Sequence, residues 1–241
     1  MELLALKIRP CLEALGSLFF PPHCCACDDR IDSGYLCATC SSALVRIGEA
    51  CCLVCSHSMR GLPTGLCTNC NGRALSFHCV VAVCQSKGVV RELIHRFKYG
   101  RELHLRSLLG SLLIEGLQDH RLRHVAFDCI TPVPLHPLKL REREFNQAEE
   151  LAAILSRFSR IPLKNCLKRT RYTVTQTQFD RLIRMRNLQG AFKVGKNHDV
   201  SEKTILLVDD VMTTASTLNE CARTLLEAGA HAVYGITIAR G

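Results

Sequence analysis

The run Ile205-Leu206-Leu207-Val208-Asp209-Asp210-Val211-Met212-Thr213-Thr214-Ala215-Ser216-Thr217-Leu218 decides how the chain is read. Its apolar, partly β-branched start predicts a buried strand over residues 204–208. Two adjacent carboxylates border that strand, and a hydroxyl-rich turn then opens a helix over residues 216–228, closed by Gly229. Such a turn leaves backbone N–H groups exposed at the positive end of a helix dipole, which suits a phosphate group. Thr213, Thr214, Ser216 and Thr217 add side-chain donors around the same point. Asp209 and Asp210 are placed to accept hydrogen bonds from sugar hydroxyls or to approach a divalent cation. Ordinary N-capping needs one of these groups, not six.

The pattern continues on both sides of this motif. Further strands are expected over residues 80–84, 125–131 and 232–239. Helices are expected over 146–157 and over 89–117, the latter broken or loosened at Gly100 and Gly110. Strands alternating with helices imply an α/β domain with a mostly parallel sheet flanked by helices. Ligands of such sheets bind beyond the carboxyl ends of the strands, where the acid pair lies.

The first third of the chain is different. Thirteen of the 16 cysteines precede residue 85, and only Cys129, Cys166 and Cys221 follow. Four C-x-x-C pairs stand in a row: Cys24/Cys27, Cys37/Cys40, Cys52/Cys55 and Cys67/Cys70. The first and third pairs are offset by 28 residues and the second and fourth by 30, which marks a duplicated unit. Two intervening residues let a tight turn aim both sulfurs at one ion, and a second turn completes a tetrahedron. Two structural zinc ions follow from this spacing, although an iron–sulfur cluster also takes four thiolates. Cys25 and Cys51 adjoin the assigned ligands and leave a one-residue shift open. Cys11, Cys79 and Cys84 sit in apolar surroundings and read as packing residues.

Charge divides the chain at the same place. Residues 1–80 hold six Lys/Arg and six Asp/Glu, so the whole formal charge of +9 belongs to the remainder. A basic domain favours anionic partners, either phosphorylated small molecules or a nucleic-acid backbone. Residues 139–186 concentrate twelve Lys/Arg against five Asp/Glu. Aromatic residues are only 5% and Trp is absent, so platforms for base stacking are scarce. No stretch approaches the roughly 18 apolar residues of a membrane span. Residues 1–20 carry Lys7, Arg9 and Glu13 inside an apolar pattern of helical period, which predicts an amphipathic helix rather than a signal peptide. A cytoplasmic location is therefore expected, where cysteine clusters hold metal more often than they form disulfides. The expected extents are a helix over 1–20, a double zinc ribbon over 21–78 and an α/β domain over 79–241.

The run from Val208 to Thr217 resembles the phosphoribosyl-pyrophosphate (PRPP) motif of type I phosphoribosyltransferases. The whole chain from about Pro21 resembles the ComF/GntX family of competence-associated proteins, which join a cysteine zinc module to that fold. The supporting segments are Leu93-Ile94-His95-Arg96-Phe97-Lys98-Tyr99-Gly100, Pro132-Val133-Pro134-Leu135, Arg141-Glu142-Arg143-Glu144-Phe145-Asn146-Gln147 and Arg184-Met185-Arg186-Asn187. The resemblance implies that Asp209 and Asp210 meet the ribose hydroxyls. It implies that Thr213, Thr214, Ala215, Ser216 and Thr217 cradle the 5-phosphate, and that Arg141, Arg143, Asn146 and Gln147 lie toward pyrophosphate. Residues 173–187 hold the position of a hood over the site, and magnesium arrives with the substrate, bridging its pyrophosphate oxygens. Two departures stand out. The family has Gly at the position of Ala215, so alanine there requires a backbone that is not left-handed. Many relatives also have Gly at the position of Glu144, a carboxylate tolerable beside pyrophosphate only if it points away.

Three readings of function follow. The first is a PRPP-binding protein of the ComF type, linked to DNA uptake and transferring phosphoribosyl with release of pyrophosphate. The second is a non-catalytic protein of the DNA-uptake machinery that binds single-stranded DNA or a competence protein. The third is an iron–sulfur or redox accessory protein.

Overall fold

The computed structural model describes residues 22–59, 65–171 and 188–241. The expected helix over 1–20 and the hood over 173–187 lie outside the described residues. The chain forms two compact units, residues 1–44 and residues 45–241. The second ribbon belongs to the same compact unit as the α/β body.

In the smaller unit a two-turn frame carries the first four cysteines. Cys24 accepts from Asp28 and donates to Asp29 through its backbone, closing a tight turn around the first pair. The second pair opens α1 (Ala38–Ser42), where the Cys37 sulfur accepts from the Cys40 backbone N–H.

The larger unit is built on four parallel strands in the order β1 (Val80–Gln85), β6 (Ala232–Arg240), β5 (Thr204–Met212) and β2 (Cys129–Pro132). The register pairs Cys129 with Ile205, Ile205 with Val233 and Val80 with Gly235. Ile205, Leu206, Leu207 and Val208 are all essentially solvent-free, as a strand covered on both faces requires. Ile205 and Leu207 share a core with Leu218, Cys221 and Leu225 of α6 (Ser216–Glu227). Two other helices pack on the sheet and on each other: α3 (Arg106–Gly116) and α5 (Gln147–Ser159). Gly110 sits inside α3 rather than breaking it, because any Cβ there would lie 2.7 Å from Ile154 Cγ2 of α5. Gly100 does end α2 (Gly88–Tyr99), and a 3-10 turn over Leu103–Leu105 follows before α3.

Besides α1, three elements among the described residues escaped the sequence reading. They are α4 (Pro137–Arg143) and the antiparallel pair β3 (Leu167–Arg169) and β4 (Phe192–Val194). The strand expected over 125–131 is shorter and later. Residues 125–127 have no regular structure and follow a turn over 121–124, and the Asp128 carboxylate accepts from the Thr204 N–H at 2.8 Å. Conversely β5 continues four residues past the expected end, because Asp209, Val211 and Met212 still pair with β6.

The second ribbon is fastened to β1. Ser56 is fully buried, donates its hydroxyl to the Val80 carbonyl at 2.9 Å and accepts from the Ala82 N–H at 3.1 Å. Val80 donates to Val54 at 2.8 Å, and Arg121 reaches the carbonyls of Cys52 and Leu53 at 3.3 Å. Among the described residues no helix is long and apolar enough to cross a membrane.

Candidate functional site

At the end of β5 the two acids face different surroundings. Asp210 is buried and ion-paired, its Oδ1 lying 2.8 Å from Lys98 Nζ of α2. Asp209 is half-buried and accepts from the Asp210 N–H at 2.9 Å. Burial and the neighbouring Asp210 charge raise the Asp209 carboxyl to about 7, against the pull of Lys98 and Arg169. Lys98 was quoted only as part of a family segment and not recognised as a site residue. Its signal, one of two basic residues flanking the buried Phe97 in the last turn of an amphipathic helix, is visible only once α2 is placed.

A recess of about 110 Å³ opens between these acids and the β2–α5 connection. It brings Arg143, Asn146 and Gln147 to Asp209, Asp210 and Thr217, with Arg169 from β3. Asn146 caps α5, its Oδ1 accepting from the Ala148 N–H at 3.2 Å, and its Nδ2 donates to the Val133 carbonyl at 3.2 Å. That cap contributes about 1 kcal/mol and fixes the β2–α5 loop against the strand end. Gln147 is 1% exposed; its Oε1 accepts from Arg143 Nη1 at 3.0 Å, while Nε2 has no partner among the described residues. A buried amide donor left unmatched costs about 1–3 kcal/mol, which a ligand oxygen would recover. Arg143 is held from two further directions, donating to the Tyr99 hydroxyl at 3.2 Å and stacking over that ring. Arg141 is exposed on α4 and does not line the recess.

The turn from β5 into α6 departs from expectation at one residue. Ala215 is left-handed, with φ 62° and ψ 5°, where alanine had implied a right-handed backbone. The sharp reversal from strand into helix sets this geometry, and Ala215 pays for it in strain. Thr214 and Ser216 hydroxyls lie 2.9 Å apart at the helix start. Glu144 is likewise left-handed, at φ 69°, and its carboxylate turns away from the recess to Arg101 at 2.7 Å.

The eight assigned cysteines form two clusters, Cys24/Cys27/Cys37/Cys40 and Cys52/Cys55/Cys67/Cys70, each with all sulfurs within 4.8 Å of one another. A zinc tetrahedron with Zn–S near 2.3 Å has sulfur edges of about 3.8 Å. The Cys27–Cys37 and Cys55–Cys67 separations are 3.7 and 3.5 Å. The donor sets therefore fit one ion each, and the fourth ligand closes the sphere against a substrate. Cys25 and Cys51 lie outside both clusters. Cys79 and Cys84 are buried packing residues.

Comparison with known proteins agrees with both parts. Residues 15–71 match the double zinc ribbon domain and residues 146–240 the phosphoribosyl transferase domain. The cysteine module is thus a structural zinc module and the body has a phosphoribosyltransferase fold. Competence protein F of Haemophilus influenzae is 30% identical, over 95% of this chain and 96% of its own. The DNA utilization protein YhgH of Escherichia coli is 33% identical, over 90% of this chain and 96% of its own. Competence protein ComFC of Streptococcus pneumoniae is 27% identical, over 88% and 90%.

Proposed function

The chain belongs to the family of Competence protein F and DNA utilization protein YhgH, and from that premise we propose that its α/β body binds PRPP. The observation that carries this reading is the recess in which Asp209, Asp210, Thr217 and the unmatched Gln147 amide converge. Asp209 and Asp210 accept from the ribose 2- and 3-hydroxyls, with the Lys98 ion pair orienting Asp210. The turn over residues 213–217 receives the 5-phosphate through its backbone N–H groups and the hydroxyls of Thr213, Thr214, Ser216 and Thr217. Gln147 and Arg143 face the pyrophosphate, while Asn146 sets the loop that carries them. Arg141 stays at the rim. Magnesium bound to PRPP neutralises part of the pyrophosphate charge.

Transfer proceeds by displacement of pyrophosphate from the anomeric carbon through an oxocarbenium-like state. The protein's contribution is preorganised charge: Arg143 and Gln147 stabilise the leaving group, and the acid pair faces the ring where positive charge develops. The acceptor contacts belong to variable parts of this fold, and residues 173–187, which the resemblance places over the site, fall outside the described residues. A location in the cytoplasm, where the thiolates stay reduced, belongs to the same reading.

A second role is supported by charge. The excess of Lys/Arg over residues 139–186 suits single-stranded DNA, and the names of the relatives point to competence and DNA utilization. The two roles are compatible, since the basic residues Arg157, Arg160 and Lys164 lie away from the recess lining.

The test is stabilisation by ligand. PRPP with magnesium should raise the thermal midpoint of the full chain in a concentration-dependent way, as any ligand selective for the folded state must. An unchanged midpoint at millimolar PRPP contradicts the reading.

A further inference from the structure

Two adjacent carboxylates at the end of a buried strand invite a divalent cation, and α2 sends its own cation there instead. Of the two basic residues in the last turn of α2, Arg96 is paired with Glu102 at 2.6 and 2.8 Å. The other, Lys98, places Nζ 2.8 Å from Asp210 Oδ1. This ion pair is sheltered, with the Lys98 side chain 19% exposed and that of Asp210 9%. The negative end of the α2 dipole favours an ammonium at this position.

The oxygens of the acid pair are then nearly accounted for. Asp210 Oδ1 faces Lys98, and Asp209 Oδ1 accepts from the Asp210 N–H at 2.9 Å. Among the described residues this leaves one oxygen on each carboxylate for a ligand. Magnesium and manganese take about six oxygens in octahedral geometry. The sets of three or more His, Cys, Asp or Glu side chains able to share an ion are, among the described residues, the two cysteine clusters. No third such side chain therefore completes a set with Asp209 and Asp210. A divalent ion would also meet Lys98 Nζ, and expelling that amine would break a sheltered ion pair. Two neutral hydroxyl donors meet neither obstacle, since each takes one remaining oxygen and leaves the pair intact.

We infer that Lys98 is the built-in counterion of the acid pair and takes the place of a divalent cation there. The protein without substrate then holds no metal at Asp209 and Asp210, and the pair receives a vicinal diol rather than an ion. Magnesium enters on the substrate's own pyrophosphate oxygens. Lys98 is thus a positioning residue, acting on the ligand through Asp210. The exclusion of the ion follows from Lys98 and the acids alone; the identity of the diol as the ribose of PRPP rests on the reading above.

Titration of manganese(II) alone into the zinc-loaded full chain tests this, read by the loss of the free-ion EPR signal with zinc content measured alongside. Wild type and Lys98→Arg, which keeps the charge, should show no site that Asp209→Asn/Asp210→Asn removes. Lys98→Met should bind manganese at least tenfold more tightly than wild type, and the gain should vanish when Asp209→Asn/Asp210→Asn is added. Lys98→Gln, which retains a donor toward Asp210, takes its place if Lys98→Met does not fold. Manganese bound by wild type and lost with the two acids overturns the proposal. So does a folded Lys98→Met or Lys98→Gln that binds no more manganese than wild type. PRPP with magnesium, titrated into wild type in parallel, separates the two readings. No PRPP binding beside the expected manganese pattern removes the PRPP reading alone. PRPP binding beside manganese held by the wild-type acids removes this one alone.

Discussion

Ala215 holds a backbone conformation that costs an L-residue about 1–2 kcal/mol, and glycine adopts it without that strain. Glycine loses about 0.5–1 kcal/mol of chain entropy in exchange. Ala215→Gly should therefore stabilise the protein by up to about 1 kcal/mol and raise the thermal midpoint by roughly 2–4 °C for a chain of this size. A lowered midpoint in a melting experiment would show that the turn is not strained at this residue. Asp209 gives a second residue-level prediction, about pH. Its carboxyl titrates near 7 in the fold and near 3.9 when unfolded, so the folded state binds the extra proton between those values. Ionising Asp209 therefore costs stability, progressively from pH 4 to 7 and fully above 7. Asp209→Asn keeps the oxygen that accepts from the Asp210 N–H and removes the charge. Its melting temperature should match wild type near pH 4 and exceed it by a margin that grows to pH 7 and then levels off. A margin independent of pH would place the titration elsewhere.

At the scale of elements, the sequence was most legible where the pattern was local. Residues 205–208 announced an apolar strand, Asn146 announced the start of α5, and the C-x-x-C pairs announced both metal clusters. What remained hidden depended on partners distant in the chain. Nothing near Leu167 or Val194 signals that they pair, because their ladder joins segments distant in the chain. Gly110 looks like a helix breaker until Ile154 is seen against it. Lys98 came into view beside the acid pair only when α2 placed it 2.8 Å from Asp210. Gly235 shows the same logic. A Cβ there would stand 2.9 Å from Val80 Cγ2 on the neighbouring strand, in the packed middle of the sheet. Gly235→Ala should destabilise by about 1–3 kcal/mol through overpacking, lowering the melting temperature by several degrees. An unchanged melt would mean that β1 can move aside.

At the scale of the whole molecule, charge and metal are separated along the chain. The balanced, cysteine-rich part holds two zinc clusters, and the basic part carries the sheet and the acid pair. If the Lys/Arg excess over residues 139–186 serves nucleic acid, single-stranded oligonucleotides should bind with little sequence preference. The affinity should fall at least tenfold between 50 and 200 mM salt, as displaced counterions require for about four or more phosphate contacts. Fluorescence anisotropy at the two salt concentrations measures this, and an affinity indifferent to salt would assign the basic face another use.

The central claim is that the strand-to-helix turn after β5 and its acid pair bind PRPP. Titration calorimetry of PRPP with magnesium into wild type, Asp209→Ala/Asp210→Ala and Thr214→Tyr tests it most directly. Removing the two acceptors should cost each charged hydrogen bond roughly 1.5–3 kcal/mol, weakening affinity well over tenfold. Thr214→Tyr should abolish binding by filling the space of the 5-phosphate beside Ser216. PRPP affinity equal in all three proteins would contradict the account.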